Sequence, residues 1–169
     1  MKGLARRITV GLTTVVAAAS MVVAPAPAAA ATMAVHYDCA GMMVGGPKTF
    51  DITITAPATA TRGVPVTVTV KIQSHVPLAV DADAGDYRVY HSLVLGGAVT
   101  SSHGMGPMTN PPFDEGELWW VTGSTQLTFD TAGTVTYKPG HITFHAPGAV
   151  GCRPKDASTV PVLAGTQVS

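Results

Sequence analysis

Residues 50–72 alternate apolar and polar side chains in a pattern that dictates sheet. Phe50, Ile52 and Ile54 are separated by Asp51, Thr53 and Thr55. After a turn from Ala56-Pro57 to Arg62-Gly63, Val64, Val66, Val68, Val70 and Ile72 fall on one side, with Thr67, Thr69 and Lys71 on the other. Successive strand side chains point to opposite faces, so each run has one apolar face to bury and one threonine-rich face for water. Two such runs joined by a short Gly/Pro loop predict neighbouring antiparallel strands. The pattern returns near the C-terminus. Residues 118–121 and 126–129 read as extended, and residues 130–133 as a turn. Val135 and Tyr137 alternate with Thr134, Thr136 and Lys138, a turn is expected at Pro139-Gly140, and Ile142 and Phe144 resume the alternation. Short strands at this spacing predict an all-β fold, an immunoglobulin-like antiparallel β-sandwich, and no helical period appears after Ala31. Between the two blocks, residues 88–100 are expected to hold one or two strands broken at Gly96-Gly97. Residues 101–116, with three glycines and three prolines, read as one long loop.

The first 31 residues have the three parts of a secretory signal peptide. Lys2, Arg6 and Arg7 give a positive start, residues 8–23 are apolar and uncharged, and Ala28 to Ala31 supply small residues for cleavage after Ala31. Pro25 and Pro27 end the apolar run short of the roughly 20 residues that a membrane-spanning helix needs. Arg6-Arg7 leaves the twin-arginine route open beside the general secretory one. The expected organisation is therefore a signal peptide, 1–31, and one domain, 32–169, which is secreted without an integral membrane segment. An exported chain with two cysteines, Cys39 and Cys152, is most simply a chain with one disulfide, here closing a loop of nearly the whole mature domain.

Charge narrows the partners. Three of the ten basic residues lie in the leader, leaving seven against ten acidic groups. No basic patch remains, which excludes nucleic acid as an expected partner. An extracellular or cell-wall partner, protein or glycan, fits the composition better. Tyr37-x-Cys39, the strand into Ala56-Pro57, and Gly63-x-Pro65 with its Val/Thr run resemble the opening of an uncharacterised family. Its members are exported β-sandwich proteins of high-GC Gram-positive bacteria. Phe129-x-x-Ala132-Gly133-x-Val135, Gly140 and Cys152 resemble that family's closing section. The resemblance implies the sandwich and no assigned activity, so it carries over no catalytic residue.

Three sets of residues invite a chemical reading. His103, Met105 and Met108 in the expected loop, with His36 and Met42-Met43 flanking Cys39, offer the imidazole and thioether ligands that suit copper, although methionine more often fills gaps in a core. Asp81, Asp83 and Asp86 form an acidic Gly-containing turn of the kind that binds calcium weakly, without the terminal glutamate of a strong site. Trp119-Trp120 must send one ring to each face of a strand, so one is free to stack on a sugar or to be covered by the long loop. Asp114, Glu115 and Glu117 do not imply the cleft-spanning pair of a glycoside hydrolase. His141 and His145 share one face as an incomplete metal pair. No nucleophile motif, phosphate loop or metalloprotease signature occurs. These residues point to a non-catalytic secreted or cell-surface module that needs no cofactor. The alternatives are an extracytoplasmic copper-binding protein and a carbohydrate-binding module.

Overall fold

The computed structural model describes residues 28–41, 45–145 and 149–169. Every regular element among them is a strand: β1 (Ala28–Ala40), β2 (Gly46–Pro57), β3 (Thr59–Ala60), β4 (Val66–Pro77), β5 (Arg88–Gly97), β6 (Ser101–Thr109), β7 (Leu118–Leu127), β8 (Gly133–His145), β9 (Val150–Pro154) and β10 (Ala164–Val168). β2 and β4 are the antiparallel neighbours that the alternation predicts. Ile52 stands opposite Ile72, and Ile54 opposite Val70. Such cross-strand apolar pairs are what holds a half-buried sheet in register. Residues 1–27 of the expected leader lie outside the described residues. Ala28 to Ala31 form the first rungs of β1 opposite Pro57 to Ile54, so cleavage after Ala31 would leave β1 starting at Thr32.

The sheet order is β3-β10-β8-β5-β6-β7-β4-β2-β1-β9, and β9 also pairs with β8. Eight strands therefore close into an antiparallel barrel, with β9 as the closing stave between β1 and β8. The all-β expectation holds, but this connectivity is not clearly an immunoglobulin-like sandwich, because one sheet runs unbroken around the body. Alternation reports that one face of a strand is buried, which is equally true in a sandwich and in a barrel. The closing stave is five residues long and buries only Val150 and Cys152, too little pattern to register in the sequence.

Two further expectations are corrected. Residues 101–109 are strand β6 instead of loop, paired along β5 from Arg88↔Thr109 to Leu95↔Ser101. Glycine and proline mark sheet edges and irregular pairings, and β6 meets its other neighbour, β7, through a single rung, Thr109↔Thr122. Pro139-Gly140 is not a turn; it lies inside β8, where the register against β5 shifts between His91 and Leu93. Inward-facing residues pass there from Val135 and Tyr137 to Ile142, the change of parity that a bulge imposes. A side chain at position 140 would put its Cβ 2.4 Å from Ser92 Oγ, so the close β5–β8 approach requires glycine. The same stretch is where β8 changes partner. Residues 133–137 pair with β10 and residues 142–144 with β9.

The barrel is filled by its own side chains, among them Ile52, Ile54, Val68, Val70, Ile72, Leu93 and Ile142, all with no exposure. Tyr37 and Tyr137 are the largest of these fully buried side chains, and each hydroxyl is satisfied. Tyr37 donates to the Gly140 carbonyl at 3.0 Å; Tyr137 donates to Thr166 Oγ1 at 2.9 Å, which donates in turn to the Pro57 carbonyl at 2.7 Å. Burial raises the pKa of both phenols, so they stay neutral donors.

One end of the barrel is capped by segments 78–87 and 110–117, joined by a two-way backbone bridge between Ala82 and Phe113. Asn110, 4% exposed, is the centre of this cap. Its Oδ1 accepts from the Tyr87 amide at 2.9 Å, and its Nδ2 donates to the carbonyls of Asp83 at 2.8 Å and Pro111 at 2.7 Å. Asn110→Ala strands three backbone groups, some within reach of water, and is expected to cost about 2 kcal/mol in urea denaturation. Asn110→Asp is expected not to rescue, since it turns an acceptor toward two carbonyls.

Candidate functional site

The sequence candidates do not converge. His103 and Met105 lie on β6, where His103 Nε2 bonds Thr125 Oγ1 at 3.1 Å, while Met105 and Met108 are buried in the core. His36 is on the outer face of β1, four strands from β6 in either direction round the barrel. Met42 and Met43 lie outside the described residues. The acidic turn spends two of its three carboxylates on the backbone: Asp81 Oδ1 accepts from the Glu115 amide and Asp86 Oδ2 from the Asp83 amide, both at 2.8 Å. Glu117 Oε2 likewise accepts from the Asp114 amide at 3.2 Å. Among the described residues no group of three His, Cys, Asp or Glu is placed to hold a metal ion.

Trp119 and Trp120 face opposite sides, as strand geometry requires. Trp119 packs inward against Phe50 and Phe144 and stacks on Tyr87 with centroids 6.0 Å apart. Trp120 lies outside, beneath the edge-on ring of Phe113, with Lys71 Nζ 4.6 Å from its centroid. Both rings are half-buried, Trp119 against the core and Trp120 on the outer face beside Phe113 and Lys71. Cys39 and Cys152 are bonded, directly opposite one another across β1 and β9.

The site the fold does build lies on the outer face of β8, at the partner switch. β9 leaves the barrel at Pro154, the chain makes a turn over residues 156–159, and β10 returns to β8 at Tyr137, short of β9's last rung there at Ile142. The Asp156 carboxylate accepts from the Ser158 amide at 2.9 Å and the Ser158 hydroxyl at 2.6 Å, bonds that hold its pKa down. Between this excursion and the β5–β8 face lies a cleft of about 520 Å³, within the size range of small-ligand sites. Lys138, His141, Arg153 and Ser92 supply its polar lining; Val94, Pro139 and Val160 are among its apolar walls. The bulge sets this geometry, because the His141 amide, freed from the ladder, donates to Ser92 Oγ at 2.7 Å.

No ion pair ties up the cations of the cleft. All ten acidic residues lie among the described residues. The one ion pair among those residues is His75–Asp51 at 2.9 Å, so no carboxylate reaches Lys138, His141 or Arg153. Asp38 is the cross-strand neighbour of Arg153 without pairing with it.

Behind the cleft, on the inner face of β5, stands His91. It is 2% exposed, and neither ring nitrogen meets a hydrogen-bond partner. The ladder shifts on both sides of it, against β6 and against β8. Burial pushes its pKa down to about 4, with the nearby His141 adding to the effect. Sequence reading passed over His91, Ser92, Lys138 and Arg153. The one signal for them was the parity change after Tyr137, which marks a bulge as readily as a turn. Comparison with known proteins finds no matching family model, no matching curated protein and no matching solved structure.

Proposed function

We propose that the chain is an exported, non-catalytic β-barrel module that acts by binding at the cell envelope, in line with the family its opening and closing segments resemble. The observation that carries this reading is a closed, disulfide-linked barrel whose interior is filled by its own side chains, with a charged cleft on the outside. Such a body offers its exterior for binding. The carboxylates nearest to a hydrolase pair, Asp114 and Glu117, lie beside each other in the end cap, with Glu117 bonded to the Asp114 amide, which supports a structural role. The single rung between β6 and β7 supports a flattened body with some sandwich character. The disulfide supports an oxidising destination, and among the described residues no helix is long and apolar enough to cross a membrane.

The expected result is saturable retention of purified 32–169 on the insoluble envelope of the source cells. Asp114→Asn and Glu117→Gln are expected to leave retention unchanged. Turnover of a wall polysaccharide, abolished by either substitution, would overturn the non-catalytic reading; absence of retention would overturn the envelope role.

A further inference from the structure

We propose that the cleft at the β8 partner switch binds the head of an amphipathic anion, a carboxylate or phosphate monoester carried on an apolar body. This deepens the binding-module reading and rests on it. Lys138 from β8, Arg153 from β9 and His141 from the bulge border one cleft, and none is neutralised by an ion pair. Two cations, Lys138 and Arg153, on one concave surface raise the local concentration of anions even on a chain whose remaining charge is acidic, and the His141 ring adds a hydrogen-bonding group beside them. The guanidinium of Arg153 presents a planar fork that matches a carboxylate or phosphate in two parallel hydrogen bonds. Lys138 adds a mobile point charge. Ser92 Oγ already accepts from the His141 amide, so its own O–H is left to donate to the ligand.

The apolar half of the cleft selects against a bare ion. Val94, 41% exposed, supplies the open apolar surface on the β5 side, and the buried Pro139 and Val160 also line the cleft. A hydrated inorganic anion would leave that surface wet, whereas a hydrocarbon body of several carbons covers it at roughly 25 cal/mol per Å². The walls are also preorganised. Gly140 is held by the Tyr37 hydroxyl, the His141 amide by Ser92 Oγ, and the 156–159 turn by Asp156. Little ordering is left for binding to accomplish.

The test uses purified 32–169 titrated with octanoate, octyl phosphate and neutral octanol, followed by backbone amide NMR. Saturable binding of at least one anion is expected, with shifts centred on Ser92, His141 and Arg153, and the two anion arms identify which head is preferred. Lys138→Ala/Arg153→Ala is expected to weaken binding roughly tenfold or more. Arg153 is exposed and Lys138 half-buried on the outer face, so thermal unfolding should change little. Val94→Asp, which sets a carboxylate in the apolar wall, is expected to abolish binding. No binding by either anion, equal binding of octanol, or undiminished binding by both variants would overturn the proposal. Envelope retention without anion binding would remove the cleft's role and leave the module reading in place.

Discussion

Replacing both cysteines, Cys39→Ala with Cys152→Ala, is expected to remove about 4 kcal/mol of stability. The bond spans a sequence separation of 113 residues, so its loss returns to the unfolded chain the freedom of a loop nearly as long as the domain. Placement adds to this. Cys39 and Cys152 face each other on β1 and β9, and β9 is held to β1 by four rungs and to β8 by three. Without the bond, the closing stave depends on those few rungs and the burial of Val150. The barrel should therefore open there first. Urea denaturation of the double variant should give a lower midpoint than the parent. Hydrogen exchange should rise more in β1 and β9 than in β2 and β4. A loss below about 1 kcal/mol, or exchange rising evenly over all strands, would show that the barrel closes without its covalent link.

The residues that were legible in the sequence are those whose periodicity survives into the fold. Phe50 to Ile72 predicted β2, β4 and their pairing, because both strands are long and one-sided. The two cysteines predicted their bond, because compartment and count leave few alternatives. What escaped was set by long-range partners. β6 carries Gly104, Gly106 and Pro107, low in strand propensity, and is held in place by its ladder with β5. β9 is too short to show a period, so the difference between a sandwich and a barrel was invisible. The cleft escaped for a related reason. Ser92, Lys138, His141 and Arg153 come from three strands and meet only because a bulge in β8 coincides with the change from β10 to β9. His91 reads in sequence as one apolar-phase position of β5, and nothing local says that its ring is left without partners.

That buried imidazole gives the second large expected effect, an acid-dependent loss of stability that His91→Leu removes. In the unfolded chain His91 takes up a proton near pH 6.5, whereas in the barrel it resists protonation until about pH 4. Between these values the unfolded state binds more protons, so stability rises with pH. The contribution is whole above about pH 6.5, falls as the pH drops through the window, and is lost below about pH 4. At about 1.4 kcal/mol per unit the full loss is about 3 kcal/mol. Several carboxylates titrate near the lower end of this range, so the informative quantity is the difference between parent and variant. Leucine is close to histidine in volume and leaves no polar nitrogen in the core. His91→Leu is therefore expected to match or exceed the parent at neutral pH, by about 1 kcal/mol, because burial of an unbonded imidazole is itself costly. Its advantage should widen steadily as the pH is lowered from about 6.5 to 4. Urea midpoints measured across that range test both statements. Parallel pH profiles for the two proteins would mean that His91 finds a partner or water in solution, and that the inner face of β5 is wetter than its packing implies.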